Sequence, residues 1–100
     1  MNSKQLAESA ARGGEPPAGL NNGLRALWLA RAGRWQDAHD LCEEVDGEMG
    51  SWIHAHLHRV EGDLFNAGYW YDRAGKATPE GQEKLGEEWC ELVDEIVASS

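Results

Sequence analysis

The sequence has only two cysteines and no long apolar run. Cys42 and Cys90 lie far apart and fit no CxxC spacing, which argues against a disulfide framework or a cysteine zinc site and favours small reduced core residues. No segment approaches the roughly 20 apolar residues of a membrane span, and the N-terminus has no run long enough for a signal peptide. The chain is therefore predicted to be cytoplasmic, without a membrane partner.

Basic residues are also scarce. Nine lysines and arginines stand against 18 aspartates and glutamates, which gives a formal net charge of −9. Because nucleic-acid affinity comes largely from Lys and Arg neutralising phosphates, nucleic acid is not expected as a partner. Much of the acidic excess lies in residues 79–100, where both a solvated helix face and a surface for a basic partner fit the pattern.

Strand signals are missing as well, since no segment alternates strictly between apolar and polar residues and valine and isoleucine are sparse. Breakers instead divide the chain from Leu24 onward into helix-sized pieces, which predicts an all-α protein. A chain of 100 residues is large enough for one core. We expect residues 1–23 to form a loosely attached arm with a Gly/Pro-rich connection, and residues 24–100 to form a helical-repeat domain.

The last piece predicts a helix over residues 79–98. Thr78 can cap it, Pro79 suits its first turn, and Glu80 complements the positive end of the helix dipole. Its apolar residues recur at helical spacing and form one stripe with an acidic back: Leu85, Trp89, Leu92, Val93 and Ile96. Such a helix is typical of the cap of a helical array, and pairing with a second copy of the chain is the alternative.

An internal repeat precedes this helix. A shift of 29 residues aligns residues 26–45 with residues 55–74. The identical residues are small ones that suit the tight turn and the close approach of paired helices: Ala26 and Ala55, Gly33 and Gly62, Ala38 and Ala67.

The strings AGRWQDA (32–38) and EGDLFNA (61–67) resemble the turn and second-helix start of a tetratricopeptide repeat, and Pro79 stands where that repeat usually ends. The resemblance covers about residues 24–79. It implies antiparallel helix hairpins, about two repeats, and a concave peptide-binding groove lined by Trp52, His56 and Arg59. Helical periodicity places Trp52 and His56 on the apolar side. The string WxHAxLHRxEGDxxNAxYWYxRAG (52–75) also resembles a set of small uncharacterised bacterial proteins with this helical fold.

Two histidines offer metal-ligand spacing. His54 and His58 are four residues apart on a predicted helix, so both imidazoles can reach one metal ion, and Glu61 one turn on can supply an oxygen. No HExxH motif and no second cluster at ligand spacing accompany them, and His39, Asp40 and the distant acids are the possible further ligands. The alternative is packing, in which a buried His58 requires a carboxylate or carbonyl partner for its ring nitrogens.

The aromatic run Tyr69-Trp70-Tyr71 spans about 200° of a helix, so at least one of its rings is expected to be partly exposed. Tyr, Trp and Arg are enriched at binding hot spots. Tyr69, Trp70 and Arg73, with Asn66 nearby, are therefore candidates for a contact surface, and packing against the last helix or the N-terminal arm is the alternative.

Catalytic motifs are not found. The sequence contains no GxSxG, Walker-type or GxGxxG string, and Cys42, three residues after His39, is expected to be an inert core thiol. The sequence favours a non-catalytic scaffold without a cofactor, whose partner is an unknown protein or peptide or a second copy of the chain. The alternative is a small-molecule or metal-binding protein that uses His54, His58, Glu61 and the run Tyr69-Trp70-Tyr71.

Overall fold

The computed structural model describes residues 1–99 and contains six helices over that range. They are α1 (Ser3–Arg12), α2 (Asn22–Arg31), α3 (Trp35–Cys42), α4 (Gly47–Glu61), α5 (Leu64–Arg73) and α6 (Leu85–Ser99). The described chain has no strand, which confirms the all-α class. None of its helices combines the length and the apolar character that crossing a bilayer would require.

Helix α4 lies at the centre of the fold. It packs against α2, α3, α5 and α6, while α1 packs against α2 and α6. Because neighbours surround it, residues 52–57 are all buried, including the polar side chains of His54 and His56. A helix that is buried all round must find internal partners or cavities for such side chains.

The two copies of the internal repeat have matching local structure. Gly33 ends the α2–α3 turn with φ 83° and Gly62 ends α4 with φ 87°, a left-handed conformation that glycine adopts without strain. The alanines aligned by the repeat are all fully buried where helices approach closely: Ala26, Ala38, Ala55 and Ala67. The small residues of the repeat thus serve the same two packing roles in both copies.

Four of the five tryptophans connect separate elements through their indole N–H groups. A buried indole usually requires an acceptor for this group. The bonds run from Trp28 to Ser9 Oγ (3.0 Å), from Trp35 to the Leu57 carbonyl (2.7 Å), from Trp52 to Glu88 Oε2 (3.1 Å) and from Trp89 to the Leu27 carbonyl (2.8 Å). Within residues 1–99, the fifth tryptophan, Trp70, makes no hydrogen bond of this kind.

Helix α1 belongs to the segment for which the sequence suggested loose attachment. Asn2 and Gln5 form a capping box at its start. Leu6 is 1% exposed and Ala10 is 3% exposed, so the helix contributes two side chains to the core and is tied to α2 through Ser9. Leu6, Ser9 and Ala10 lie on the face that contacts the rest of the protein.

Helix α6 begins at Leu85 and not at residue 79 as predicted. Two carbonyl groups of the segment before it accept hydrogen bonds from Arg59. Nε of Arg59 donates to the Gly81 carbonyl (3.0 Å), and Nη2 donates to the Glu83 carbonyl. Lys84 then takes a positive φ of 60°, which a right-handed helix cannot contain. The residues proposed as its cap, Thr78 to Glu80, therefore lie outside the helix, while its apolar stripe is buried from Trp89 onward.

Candidate functional site

Two polar clusters lie on different sides of α4. One surrounds Glu88 of α6, and the other surrounds three histidines from α3 and α4. They differ in whether their polar atoms are already bonded within the protein, and this difference decides which of them can bind something else.

Glu88 is the centre of the first cluster. Its Oε1 accepts hydrogen bonds from His56 Nδ1 (2.6 Å) and Arg59 Nη1 (2.9 Å). Its Oε2 accepts hydrogen bonds from Trp52 Nε1 (3.1 Å) and from the hydroxyl of Tyr71. Burial acts to raise the pKa of Glu88, but the hydrogen bonds from His56, Tyr71 and Trp52 outweigh it and lower the pKa to about 2. Both oxygens are fully used, so this carboxylate fixes α6 to α4 and α5 and has no free lone pair for chemistry.

This cluster corrects the groove that the tetratricopeptide resemblance implied. Trp52, His56 and Arg59 are 5%, 2% and 2% exposed, and their polar atoms are bonded inside the protein. They are thus unavailable to a peptide in this structure. The reason is the buried carboxylate of Glu88, which requires these donors.

The second cluster joins His39 of α3 to His54 and His58 of α4. The ring centroid of His39 lies 4.9 Å from that of His54 and 5.3 Å from that of His58, and the centroids of His54 and His58 are 6.1 Å apart. All three line an open cavity of about 830 Å³, together with Asn66, Trp70 and Arg73 of α5. This volume is in the range of small-molecule sites.

His54 has no hydrogen-bond partner in this cavity. Its side chain is 7% exposed, and neither ring nitrogen is bonded to any of residues 1–99. Every side-chain nitrogen or oxygen of residues 1–99 that is fully buried has a hydrogen-bond partner. Since the nitrogens of His54 have none, they are not fully buried, and they open onto the cavity that His54 lines. Burial, and then the imidazoles of His39 and His58, lower the pKa of His54 to about 4, so the ring is neutral at pH 7.

Aromatic rings fix the orientation of the histidines. Trp70 stacks on His54 with ring centroids 4.1 Å apart and planes 13° apart, and Trp35 stacks on His39 at 4.9 Å and 16°. His58 is held differently, by its Nδ1 contact of 2.8 Å with Glu61 Oε1. This contact is the carboxylate partner that the packing interpretation of His58 requires.

The predicted metal set His54, His58 and Glu61 is divided between two groups. His39, Glu43 and His54 offer ligand atoms that lie within 4.8 Å of one another, and so do His58, Glu61 and Asp63. The spacing of four residues does bring His54 and His58 to the same cavity. The two rings are nearly parallel. The possible co-ligands of His54 are His39 and Glu43, whereas those of His58 are Glu61 and Asp63.

The predicted contact residues are also divided. Tyr69 is 54% exposed, Trp70 faces the cavity and Tyr71 is 1% exposed on Glu88, which confirms that the three rings could not all be buried. The guanidinium of Arg73 lies 5.5 Å from the Trp70 ring at the cavity. Asn66 lines the cavity too, and its amide also bonds to Asp63 Oδ2 (2.7 Å).

No protein-family model, curated protein or solved structure matches this chain. The chemistry of the cavity is therefore the basis for a functional assignment.

The cavity carries an acidic lining. Glu43, Asp46 and Glu48 contribute to it, and Arg73 is its only lysine or arginine within the described chain. With neutral His54, this balance favours a cationic ligand, or a neutral one with hydrogen-bonding groups, over an anion.

Sequence reasoning did not identify Glu88 or Glu43 as site residues. It gave His39 as a possible further metal ligand and as a neighbour of Cys42. Glu88 had a signal, because it lies three residues after Leu85 and four before Leu92, inside the apolar stripe of α6. An acid at such a position predicts a buried carboxylate with partners. His39 and Glu43 had no comparable signal, since the cavity forms only when α3 packs on α4.

Proposed function

We propose that this protein is a non-catalytic binding protein whose ligand occupies the histidine cavity, defined as the space lined by His39, His54, His58, Asn66, Trp70 and Arg73. One observation carries the proposal. The imidazole of His54 is almost fully buried, is held in place by Trp70, and still presents two unbonded nitrogens to a cavity of ligand size.

An imidazole in this position is suited to binding because it is already ordered. Burying and orienting a side chain costs conformational entropy. Here that cost is part of the folding free energy, so it does not weaken ligand binding. Trp70 adds a second prepared group, since its indole N–H has no acceptor among residues 1–99 while the other four tryptophans each have one. The indole N–H of Trp70 requires a ligand that accepts a hydrogen bond, whereas the two nitrogens of neutral His54 offer one donor and one acceptor.

The assignment of a binding role, without catalysis, rests on the state of the other reactive groups. Burial, followed by the charges of Glu43 and Asp40, raises the pKa of the Cys42 thiol to about 12, so it is not a nucleophile at neutral pH. Glu88 has no free lone pair, because four donors occupy its two oxygens. These facts support a cavity that binds a ligand and releases it unchanged.

Native mass spectrometry of the protein purified without denaturant or chelator tests the proposal. The wild-type chain is expected to carry a bound mass that the His54→Phe variant lacks. Phenylalanine keeps the stack on Trp70 and removes both nitrogens, so loss of the mass is not a loss of packing. Two spectra that both show the bare chain would contradict the proposal, as would an adduct that the variant retains.

A second candidate function is self-association through a tetratricopeptide-like arrangement in which α2 with α3 and α4 with α5 form the two repeats. It is favoured by an apolar patch at the start of α5, where Phe65 is 89% exposed next to Leu64 (43%) and Val60 (37%). Helical repeats usually need at least three copies to bury a continuous core. A second copy of this chain would extend the array, and it is the occupant proposed for the patch.

Sedimentation equilibrium tests this second function. Wild type is expected to form a dimer that Phe65→Ser dissociates. Val97→Ser is the matched control, because Val97 is 40% exposed on a different helix, α6. A wild-type monomer at high concentration, or equal weakening by both substitutions, would contradict it. Both candidate functions are compatible with the cytoplasmic location predicted from the sequence.

A further inference from the structure

We propose that the histidine cavity binds a divalent transition-metal ion through His39, His54 and Glu43. This inference rests on the proposed binding function and names the class of its ligand. Imidazole nitrogens with a carboxylate oxygen form a donor set that suits zinc, cobalt, nickel and similar ions.

The ligand atoms are close to coordination geometry. One atom from each of the three side chains lies within 4.8 Å of the others, and His39 Nδ1 is 3.6 Å from Glu43 Oε1. Tetrahedral zinc with bonds of about 2.0–2.1 Å requires ligand atoms about 3.3 Å apart. Side-chain rotations that move each atom by on the order of 1 Å close this difference, and Glu43, 59% exposed, is free to make one.

Two of the ligands are preorganised. His54 of α4 is stacked on Trp70 of α5, and His39 is stacked on Trp35 one turn earlier in α3, so an indole ring orients each imidazole. Holding ligands in place before the ion arrives lowers the entropy cost of binding. The unbonded nitrogens of His54 are the independent sign of a ligand, because a packed histidine at this depth would be bonded to protein.

The charge of the cavity favours the same class of ligand. Glu43, Asp46 and Glu48 line it, and Arg73 is the only lysine or arginine there among the described residues. A dication gains from this field, whereas a phosphate or carboxylate ligand would be repelled by it.

The neighbouring group of His58, Glu61 and Asp63 is the competing site. It is less suited, because its side chains already take part in hydrogen bonds within the protein. His58 bonds to Glu61, and Asp63 accepts from the Asn66 amide N–H (3.1 Å) and from Asn66 Nδ2 (2.7 Å) where it caps α5. A metal there would compete with these bonds, including the cap of α5.

Cobalt titration of the chelator-treated full chain separates the two groups. Co²⁺ is added as its chloride, and visible absorption reports coordination by nitrogen and oxygen ligands. Wild type is expected to bind a single Co²⁺ that Zn²⁺ displaces. Glu43→Gln and His54→Phe are each expected to weaken binding by about tenfold or more, and Glu61→Gln, the matched control, is expected to leave it unchanged.

The opposite results would overturn the inference. These are a wild-type chain with no Co²⁺ spectrum, or a loss of affinity in Glu61→Gln equal to or greater than that in Glu43→Gln. Circular dichroism melts of the variants confirm that each is folded. A metal-free adduct in native mass spectra that His54→Phe abolishes would keep the binding function and reject the metal, so the two failures are distinguishable.

Discussion

The indole of Trp70 lies parallel to the imidazole of His54, with ring centroids 4.1 Å apart. The two residues belong to α5 and α4, so this stack is a contact between helices as well as one wall of the cavity. It links the stability of the fold to the order of the binding site.

Replacing Trp70 by Ala is expected to lower the free energy of unfolding by about 1–2 kcal/mol, because a half-buried ring and its stacking partner are lost. Tyr69→Ala is the control on the adjacent position. Tyr69 is 54% exposed, so its loss is expected to change stability by no more than about 0.5 kcal/mol. Urea denaturation measures both. Equal effects would show that the stack contributes nothing beyond exposed surface.

Glu88→Gln is expected to destabilise the protein by roughly 3 kcal/mol or more. The substitution removes the charge that compensates buried Arg59, and breaking one side of a buried pair leaves the other side uncompensated. Glu87→Gln, at an exposed position on the same helix, is expected to be nearly neutral. Chemical denaturation of the two variants provides the measurement, and similar midpoints would contradict the role given to Glu88.

Acid should weaken the fold through the same carboxylate. The pKa of Glu88 is lowered from 4.5 to about 2 in the folded protein, so its stabilising contribution is present above the unfolded value and is lost as the pH falls toward 2. The shift corresponds to a loss on the order of 3 kcal/mol across that window. Denaturant midpoints measured from pH 6 down to pH 2 should fall more steeply in wild type than in Glu88→Gln. If the midpoints of wild type and Glu88→Gln fell equally with pH, Glu88 would not be the cause of the acid sensitivity.

The N-terminal helix offers a test of its attachment. Leu6 is 1% exposed in the core, so Leu6→Ala is expected to cost about 2–4 kcal/mol of unfolding free energy. Met1→Ala serves as a control, because Met1 is 54% exposed. A neutral Leu6→Ala variant would indicate the loosely attached arm that the sequence suggested.

Helical periodicity predicted those features that depend on one helix at a time. The stripe containing Trp89, Leu92 and Ile96 is buried, and one ring of the aromatic run is exposed. The small residues of the repeat also take equivalent places, as the two left-handed glycines show. These properties follow from which face a residue occupies and from its size.

What periodicity could not provide is which helix faces which. Periodicity placed His56 on the apolar side, and the tetratricopeptide resemblance assigned His56 and Arg59 to a groove. Neither identified their partner, Glu88, which is 29 residues or more away in sequence. The start of α6 was placed too early for the same reason, since Arg59 of α4 binds the carbonyls that an earlier helix would have used. His39 joins the cavity only through the packing of α3 on α4.

A crystal structure of the wild-type protein, purified without chelator and at a resolution that shows bound ligands, would reveal whether the histidine cavity is a binding site. We expect non-protein density in the cavity within bonding distance of a His54 ring nitrogen. A cavity that holds only water, with His54 bonded to a protein group, would contradict this expectation.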